Sequence, residues 1–272
     1  MNDSFTWQEF QDEINKDNSQ INLAKGALLI SKIEYKDLDI NEYLKILDYM
    51  GEEVKDYLPS SSYPLKIIQG INKYLFENLQ FTGNLENYYD IRNSFLNDVI
   101  TRCTGIPITL SLIYLEIAKR INFPMFPISM PGHFLIKPDF ENAEIFVDTF
   151  NKGEILFPQD CEERLRQVYQ QPLKMQPEFL EPVEKKQVLT RILNNMKLIY
   201  INNQNLEQVI QIITGILILN PDNYDQIRDR GIVYYQLGKI NKACDELEKY
   251  ITLAPDATDN LSIQQLLWKI KS

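Results

Sequence analysis

The middle of the chain reads Pro107-Ile108-Thr109-Leu110-Ser111-Leu112-Ile113-Tyr114-Leu115. A proline is favourable at the first position of a helix, because the N–H that it lacks would have no partner there. The residues that follow are apolar nearly all round, which is typical of a helix enclosed by other elements. We therefore predict a buried central helix from Pro107 to about Ile121.

The segments on either side of this helix differ in periodicity. Upstream, residues 5–80 and 94–102 carry apolar residues at helical spacing. Downstream, three short β-rich runs at 125–130, 134–137 and 145–149 are separated by turn signals. Helices followed by strands are typical of the α+β class. The sequence thus predicts a helical N-terminal region and a small antiparallel sheet packed on the central helix.

The composition excludes several classes of protein. The 272 residues carry a formal net charge of −10, whereas surfaces that bind nucleic acid or anionic membranes depend on clustered Lys and Arg. No apolar run approaches the roughly 20 residues of a membrane span, and an acidic residue at Asp3 does not fit a secretion signal. We expect a soluble, cytoplasmic protein that binds neither nucleic acid nor membrane.

His133 is the only histidine of the chain, in the segment Pro131-Gly132-His133-Phe134. Imidazole is the side chain best suited to exchange a proton near neutral pH, so acid–base chemistry of the usual kind depends on this residue. Asp148 belongs to a neighbouring predicted strand. We therefore expect His133 and Asp148 to meet, with the carboxylate orienting the imidazole.

The three cysteines, Cys103, Cys161 and Cys244, are few, odd in number and far apart. Their spacing fits neither zinc ligands nor a disulfide framework, so we predict no metal site and no cofactor. Each is most simply a small buried hydrophobe. Cys103 alone lies near other candidate residues, just before the central helix, where the helix dipole and free amides could lower the pKa of its thiol.

An internal repeat occupies the C-terminal part of the chain. The segment 216–222 overlays 250–256 at an offset of 34 residues, and a period of 34 is that of the tetratricopeptide helical hairpin. Gly231 supplies the small residue that close helix packing requires in the second unit. Lys197 replaces it in the first.

We accordingly predict two domains. Residues 1–175 form the α+β domain, and residues 183–272 form an all-α tetratricopeptide solenoid of about two units plus a terminal helix. The proline-rich segment 172–182 is the predicted linker. The same 34-residue offset pairs Tyr200 with Tyr234, which we take as candidate binding residues for a protein or peptide on the concave face of the repeats.

Three separated motifs carry a resemblance to a known family: Asn93-Ser94-Phe95-Leu96, Thr104-Gly105-Ile106-Pro107-Ile108-Thr109-Leu110-Ser111 and Pro131-Gly132-His133-Phe134-Leu135. In this order they resemble the transglutaminase-like domain of the SirB family, in which a tetratricopeptide tail commonly follows. The resemblance implies a papain-like core, with His133 as the base and Asp148 as the orienting acid. It also makes Asn93 and Gly105 candidates for binding near the cleft, where the amide of Asn93 is suited to fixing a loop.

The nucleophile of this family has no counterpart at its usual position. In active transglutaminase-type domains a cysteine begins the central helix, two residues after a glycine. Two residues after Gly105 this chain has Pro107, which offers no nucleophilic group. Cys103 lies four residues earlier, and the hydroxyls of Thr109 and Ser111 are better suited to bonding helix carbonyls than to replacing a thiol.

Three interpretations stay open. In the first, which the missing cysteine favours, the domain is a pseudoenzyme that serves protein binding or assembly. In the second, Cys103 is a displaced nucleophile activated by His133, in a thiol hydrolase, protease or acyltransferase. In the third, His133 and Asp148 only satisfy one another in the core, and all function lies in the helical repeats.

Overall fold

The central helix runs over Pro107–Arg120 in the computed structural model, which describes residues 7–60, 63–140, 144–169 and 175–271. Every residue from Pro107 to Ala118 is buried, so the prediction of a buried helix is confirmed. The helix begins here because Ile106 is extended and its N–H donates to Oγ1 of Thr109 at 3.1 Å. This bond satisfies an N–H that the start of a helix otherwise leaves without a partner.

Residues 1–192 form one compact unit. Its helices, in chain order, are α1 (Gln8–Ile14), α2 (Leu23–Ser31), α3 (Ile40–Glu53), α4 (Pro64–Asn72), α5 (Leu96–Arg102), the central helix α6 (Pro107–Arg120) and α7 (Pro158–Tyr169). A π-helical segment, Lys73–Asn78, continues α4. Helices α2, α3, α4 and α5 contact α6, so they supply the burial that its apolar surface requires.

The strands of this unit form two sheets. Two-residue strands β1 (Thr82–Gly83) and β2 (Thr104–Gly105) pair in parallel before α6. The main sheet is antiparallel, in the order β3-β4-β5-β6. Its strands are β3 (Met125–Ile128), β4 (Leu135–Pro138), β5 (Phe146–Asp148) and β6 (Glu154–Leu156). Strands β3 and β4 contact α6, and the predicted α+β class is confirmed.

A second layer covers the sheet. Leu135 and Phe146 pack in a buried cluster that includes Cys161 of α7. Strand β6 and the β1–β2 pair are absent from the sequence-based prediction, which has three strands. Each is only two or three residues long, too short for a recognisable alternation of apolar and polar residues.

The segment predicted as a linker is partly built into the first unit. Residues 172–174 lie outside the described part of the chain. The end of the segment pairs with the sheet, because Pro182 bridges to Ile128 and the N–H of Val183 donates to the carbonyl of Pro127 at 2.9 Å. The chain divides between Ile192 and Leu193, inside helix α8 (Lys185–Asn202), whereas the domain limits 1–175 and 183–272 stay predictions.

Residues 193–272 form the second compact unit. After the end of α8 it contains α9 (Leu206–Leu219), α10 (Tyr224–Gln236), α11 (Ile240–Leu253) and α12 (Asn260–Lys271). Helices α9 and α11 begin and end 34 positions apart, as the repeat predicts. A Cβ at Gly231 would lie 2.8 Å from Cδ2 of Leu247, so this glycine lets α10 and α11 approach closely.

Candidate functional site

His133 lies in the loop that joins β3 to β4. The loop turns at Gly132, whose φ of +71° is in the left-handed region that favours glycine. A Cβ there would lie 2.4 Å from Cγ1 of Val168 in α7, so the turn has no room for a side chain. His133 is left only 6% exposed.

Asp148 ends β5 and is fully buried. Its Oδ1 accepts hydrogen bonds from the backbone N–H groups of Phe150 at 3.1 Å and Asn151 at 3.3 Å. Its Oδ2 accepts a third bond from the side-chain amide of Asn151 at 2.8 Å. These bonds cap the short 3-10 helix Thr149–Asn151 and hold the carboxylate in one position.

His133 and Asp148 meet as expected from the sequence. Nε2 of His133 lies 2.8 Å from Oδ2 of Asp148. The two atoms are close enough for an ion pair, but their relative orientation does not meet the criteria of a hydrogen bond. Nε2 accordingly has no hydrogen-bond partner in the described part of the chain. Burial would raise the pKa of Asp148, but His133, Asn151 and Arg164 together outweigh it, so this pKa lies below its ordinary value.

Arg191 of α8 fixes the loop that carries His133. Its Nη1 donates to the hydroxyl of Ser129 at 2.7 Å and to the carbonyl of Met130 at 2.8 Å, and its Nη2 donates to the carbonyl of His133 at 2.8 Å. Every other arginine contacts a carboxylate, whereas Arg191 has no acidic partner among the residues that the structure describes. Sequence reasoning missed this residue.

Aromatic rings adjoin the imidazole. The ring of Phe150 meets that of His133 edge-on, with centroids 6.4 Å apart. Tyr88 packs on Phe150 at 5.9 Å, and Tyr89, which is 64% exposed, packs on Tyr88 at 5.3 Å. A series of rings therefore extends from the surface to His133.

Pro107 occupies the position that the resemblance reserves for a nucleophile. It is buried, and its carbonyl accepts a hydrogen bond from Oγ1 of Thr149 at 3.3 Å. Because Thr149 directly follows Asp148, the first turn of α6 lies close to the buried carboxylate. Ser111 does not offer a free hydroxyl, since its Oγ lies 2.8 Å from Oγ1 of Thr149 in a buried hydrogen bond.

Asn93 and Gly105 lie beside the first turn of α6. The amide of Asn93, fully buried, donates to the carbonyls of Asn87 at 2.8 Å and Tyr88 at 3.1 Å. The backbone carbonyl of Asn93 accepts a hydrogen bond from Oγ1 of Thr109 at 2.8 Å. A Cβ at Gly105 would lie 2.8 Å from Oγ1 of Thr109. Both residues therefore hold the 84–93 loop against the start of α6.

Cys103 caps the end of α5 in the left-handed conformation, with a φ of +50°. Its thiol contacts the carbonyl of Ile100 at 3.8 Å, and none of the hydrogen bonds within the described residues joins it to His133. Burial raises the pKa of the Cys103 thiol. The expectation of a lowered pKa is wrong, because the sulfur is partly buried at the end of α5, where the thiolate is poorly solvated.

The two candidate tyrosines lie in the second unit. Tyr200 is buried, with 6% exposed, so a partner would reach it only if its neighbours moved. Tyr234 is half-buried, and Nζ of Lys242 lies 5.6 Å from its ring centroid. The carbonyls of both tyrosines accept equivalent bonds after their helices, from the N–H groups of Asn205 and Lys239, each at 2.9 Å.

The arrangement can hold an imidazole in one orientation beside a carboxylate. Acyl transfer also needs a thiol or hydroxyl within reach of the imidazole.

Across residues 7–60, 63–140, 144–169 and 175–271 there is no group of three or more His, Cys, Asp or Glu side chains that could bind a metal ion. In those same ranges, none of the helices has the length and apolar character needed to span a bilayer.

Comparison with known families matches the first part of the chain to one family and the last part to another. Residues 41–194 match the transglutaminase-like superfamily, and residues 196–267 match the tetratricopeptide repeat. The chain is 35% identical over 254 residues to a UPF0162 protein of Xylella fastidiosa strain Temecula1, covering 91% of this chain and 89% of that protein. A UPF0162 protein of Vibrio cholerae is 25% identical over 251 residues, with coverage of 89% and 90%.

A eukaryotic protein shares part of this similarity. F-box only protein 21 of Mus musculus is 30% identical to the chain over 210 residues. The match covers 70% of this chain and 32% of the mouse protein.

Proposed function

Because the chain belongs to the transglutaminase-like superfamily and to the family of UPF0162 proteins, we propose that it is a protein-binding module whose transglutaminase-like domain is a pseudoenzyme. In this proposal the first domain keeps the fold and the contact between His133 and Asp148. The tetratricopeptide repeats bind a protein or peptide. The three cysteines of the chain are free thiols, which fits a reducing compartment such as the cytoplasm.

The observation that carries the proposal is Pro107 at the start of α6. A proline has no thiol, hydroxyl or amine, so this position cannot form a covalent intermediate. The nearby hydroxyls of Ser111 and Thr149 are buried in a hydrogen bond with each other. A hydroxyl that is held in a buried hydrogen bond is a poor substitute for the missing thiol.

The properties of Cys103 argue against a displaced nucleophile. The reactive form of a cysteine is the thiolate, and burial raises the pKa of this thiol. Its sulfur contacts the carbonyl of Ile100, which can only accept a hydrogen bond and cannot take the thiol proton as a general base would. A nucleophile activated by His133 needs the opposite environment.

Apolar side chains on the repeats support the binding role. Leu198 and Ile201, on the part of α8 that belongs to the second unit, are 49% and 45% exposed. They lie one helical turn apart and therefore share a face. Exposed apolar residues on tetratricopeptide-type helices offer an anchor for a partner segment.

Alkylation of the full-length chain tests the absence of a catalytic thiol. Iodoacetamide labelling between pH 6 and 10 is followed at each cysteine by mass spectrometry of peptides, in the wild type and in His133→Ala. Cys244, which is also half-buried, is the internal reference. We expect Cys103 to react only at alkaline pH and equally in both proteins. Rapid labelling of Cys103 at neutral pH that slows at least tenfold in His133→Ala would establish a thiol activated by His133 and overturn the proposal of a pseudoenzyme.

A further inference from the structure

A cleft of about 580 Å³ opens on the first unit beside the C-terminal half of α6. Its size is within the range of small-molecule sites, roughly 300–1,000 Å³. None of the residues of the candidate site, His133, Asp148, Phe150 or Arg191, lines it. The cleft is therefore a second feature, independent of the proposed function.

The walls of the cleft are largely apolar. Leu115 of α6 lines one side, and Met125, Phe126 and Pro127 of β3 line another. Phe126 is 38% exposed, although a ring of this size is normally covered when an apolar neighbour is available. An apolar ligand body would cover it.

Hydrogen bonds within the protein hold the walls in place. Nζ of Lys185 donates to the carbonyls of Ser19 at 3.0 Å and Ile21 at 2.7 Å. The N–H of Val183 donates to the carbonyl of Pro127 at 2.9 Å. A preformed cleft of this kind loses little conformational entropy when it binds a ligand.

Two lysines in the cleft lack carboxylate partners. Neither Lys119 nor Lys185 forms an ion pair within the described residues, although both line the cleft. Glu116, which also lines it, is paired with Arg120, and Glu184 is exposed at the rim. Burial, followed by repulsion from Lys119, lowers the pKa of Lys185, and attraction from Glu116 and Glu13 offsets this only in part. An anion between the two ammonium groups would relieve this repulsion, and the third N–H of Lys185 has no acceptor in the described protein.

We propose that this cleft binds a small amphipathic carboxylate. The carboxylate lies between Lys119 and Lys185, where it accepts charge-assisted hydrogen bonds. The aliphatic body lies along Leu115, Met125 and Phe126. Glu116 and Glu13 offset the burial of Lys185 and its repulsion from Lys119 only in part, so an anionic head group is favoured over a neutral or cationic one.

Calorimetric titration of the full-length chain with decanoate tests this proposal. Decylamine at the same concentration, below the micellar range, serves as the ligand of opposite charge. Lys119→Met and Lys185→Met keep an apolar stem and remove the ammonium group. Lys269→Met, an exposed lysine of the second unit, is the matched control for the change in net charge.

We expect decanoate to bind and decylamine not to bind. Each of the two cleft variants should weaken decanoate binding by about tenfold, the effect of losing one hydrogen bond to a charged group, and Lys269→Met should leave binding unchanged. Because Lys119 is exposed and makes no side-chain hydrogen bond within the described residues, its variant is expected to fold like the wild type. The proposal is overturned if titration at two different temperatures shows no heat of decanoate binding, if decylamine binds equally well, or if Lys119→Met binds decanoate like the control.

Discussion

At the scale of single residues, the proposal of a pseudoenzyme depends on Pro107, which lies where the resemblance places the nucleophile. The rest of the expected constellation is present, since Asp148 is fixed by three hydrogen bonds and His133 lies against it. Pro107 is the first residue of a helix, and the N-terminus of a helix stabilises a thiolate. One substitution therefore tests whether the site keeps the remaining properties of a catalytic centre.

We predict that Pro107→Cys creates a thiol with a pKa below the ordinary value of about 8.5, because the N-terminus of α6 stabilises the thiolate by more than burial of this position destabilises it. The added N–H is tolerated, because the first N–H groups of a helix have no partner within the helix. The measurement is the pH dependence of iodoacetamide labelling at the new site, with Ile108→Cys on the same turn as the control. Labelling at neutral pH should slow when His133→Ala is added. An ordinary thiol pKa, unaffected by His133, would mean that the first turn of α6 is not the position of the nucleophile that the resemblance implies.

A second prediction concerns the stability of the buried carboxylate in acid. The pKa of Asp148 is lowered in the folded protein, so its ionised form stabilises the fold above the unfolded value of about 3.9. This stabilisation is lost as the pH falls through the lower folded value. We predict that Asp148→Asn reduces the free energy of unfolding at pH 7 by about 1–3 kcal/mol, and that the difference from the wild type shrinks towards pH 3.

Urea unfolding at a series of pH values measures this difference. Asp139→Asn is the control, since Asp139 is exposed and forms no ion pair within the described residues. A difference between wild type and Asp148→Asn that stays constant from pH 7 to pH 3 would contradict the assignment of the stabilisation to the ionised carboxylate.

At the scale of secondary-structure elements, local signals decided what could be predicted from the sequence. Helix α6 was predictable because Pro107 marks its start and the apolar run continues for several turns. Strand β6 was not, because Glu154–Leu156 is three residues long and is defined by its pairing with β5. Alternation over three residues does not distinguish a strand from a loop.

In the candidate site, too, residues with a local sequence signal could be predicted and residues defined by tertiary contacts could not. The sequence identified His133 and Asp148, because a single histidine and an acid on neighbouring strands can be recognised by residue type. It could not identify Arg191, which is 58 residues from His133 and binds backbone carbonyls. The environment of Cys103 could not be predicted from the sequence either, because the direction of its sulfur depends on the left-handed conformation at the end of α5.

The turns between paired helices of the repeat give an element-scale prediction. Gln204 and Gly238 occupy equivalent turns, with φ values of +55° and +68°. The left-handed conformation costs a residue with a Cβ about 1–2 kcal/mol, whereas glycine adopts it freely. Gln204 is exposed, so its side chain contributes little packing. We predict that Gln204→Gly stabilises the protein by about 0.5–1 kcal/mol, after allowing for the greater entropy of unfolded glycine.

Gly238→Ala is the matched reverse change. A Cβ at this position meets no atom within 4 Å, so any loss of stability comes from the backbone conformation alone. We expect a loss of about 1–2 kcal/mol in urea unfolding. Destabilisation by Gln204→Gly would show that the side chain of Gln204 makes a contribution larger than the strain.

At the scale of the whole molecule, the two units carry different parts of the proposed function. The first unit contains the site of His133 and Asp148, which the proposal interprets as a catalytic site without its nucleophile. The second contains a helical repeat with the exposed apolar residues Leu198 and Ile201. If the chain acts as a binding module, partner contacts should depend on the second unit and be independent of the imidazole.

We therefore predict that a photo-crosslinking amino acid at Ile201 forms one discrete protein adduct in cells that naturally contain the chain. The adduct should disappear with Leu198→Glu, because a charge on the same helix face removes the apolar anchor, and it should persist in His133→Ala. The same photo-crosslinker at Tyr49, which is 62% exposed on α3, is the control in the first unit. Gel shift and mass spectrometry identify the adduct. Crosslinking at Tyr49 alone, or dependence of the adduct on His133, would place the partner on the transglutaminase-like domain and assign binding to the first unit instead of the repeats.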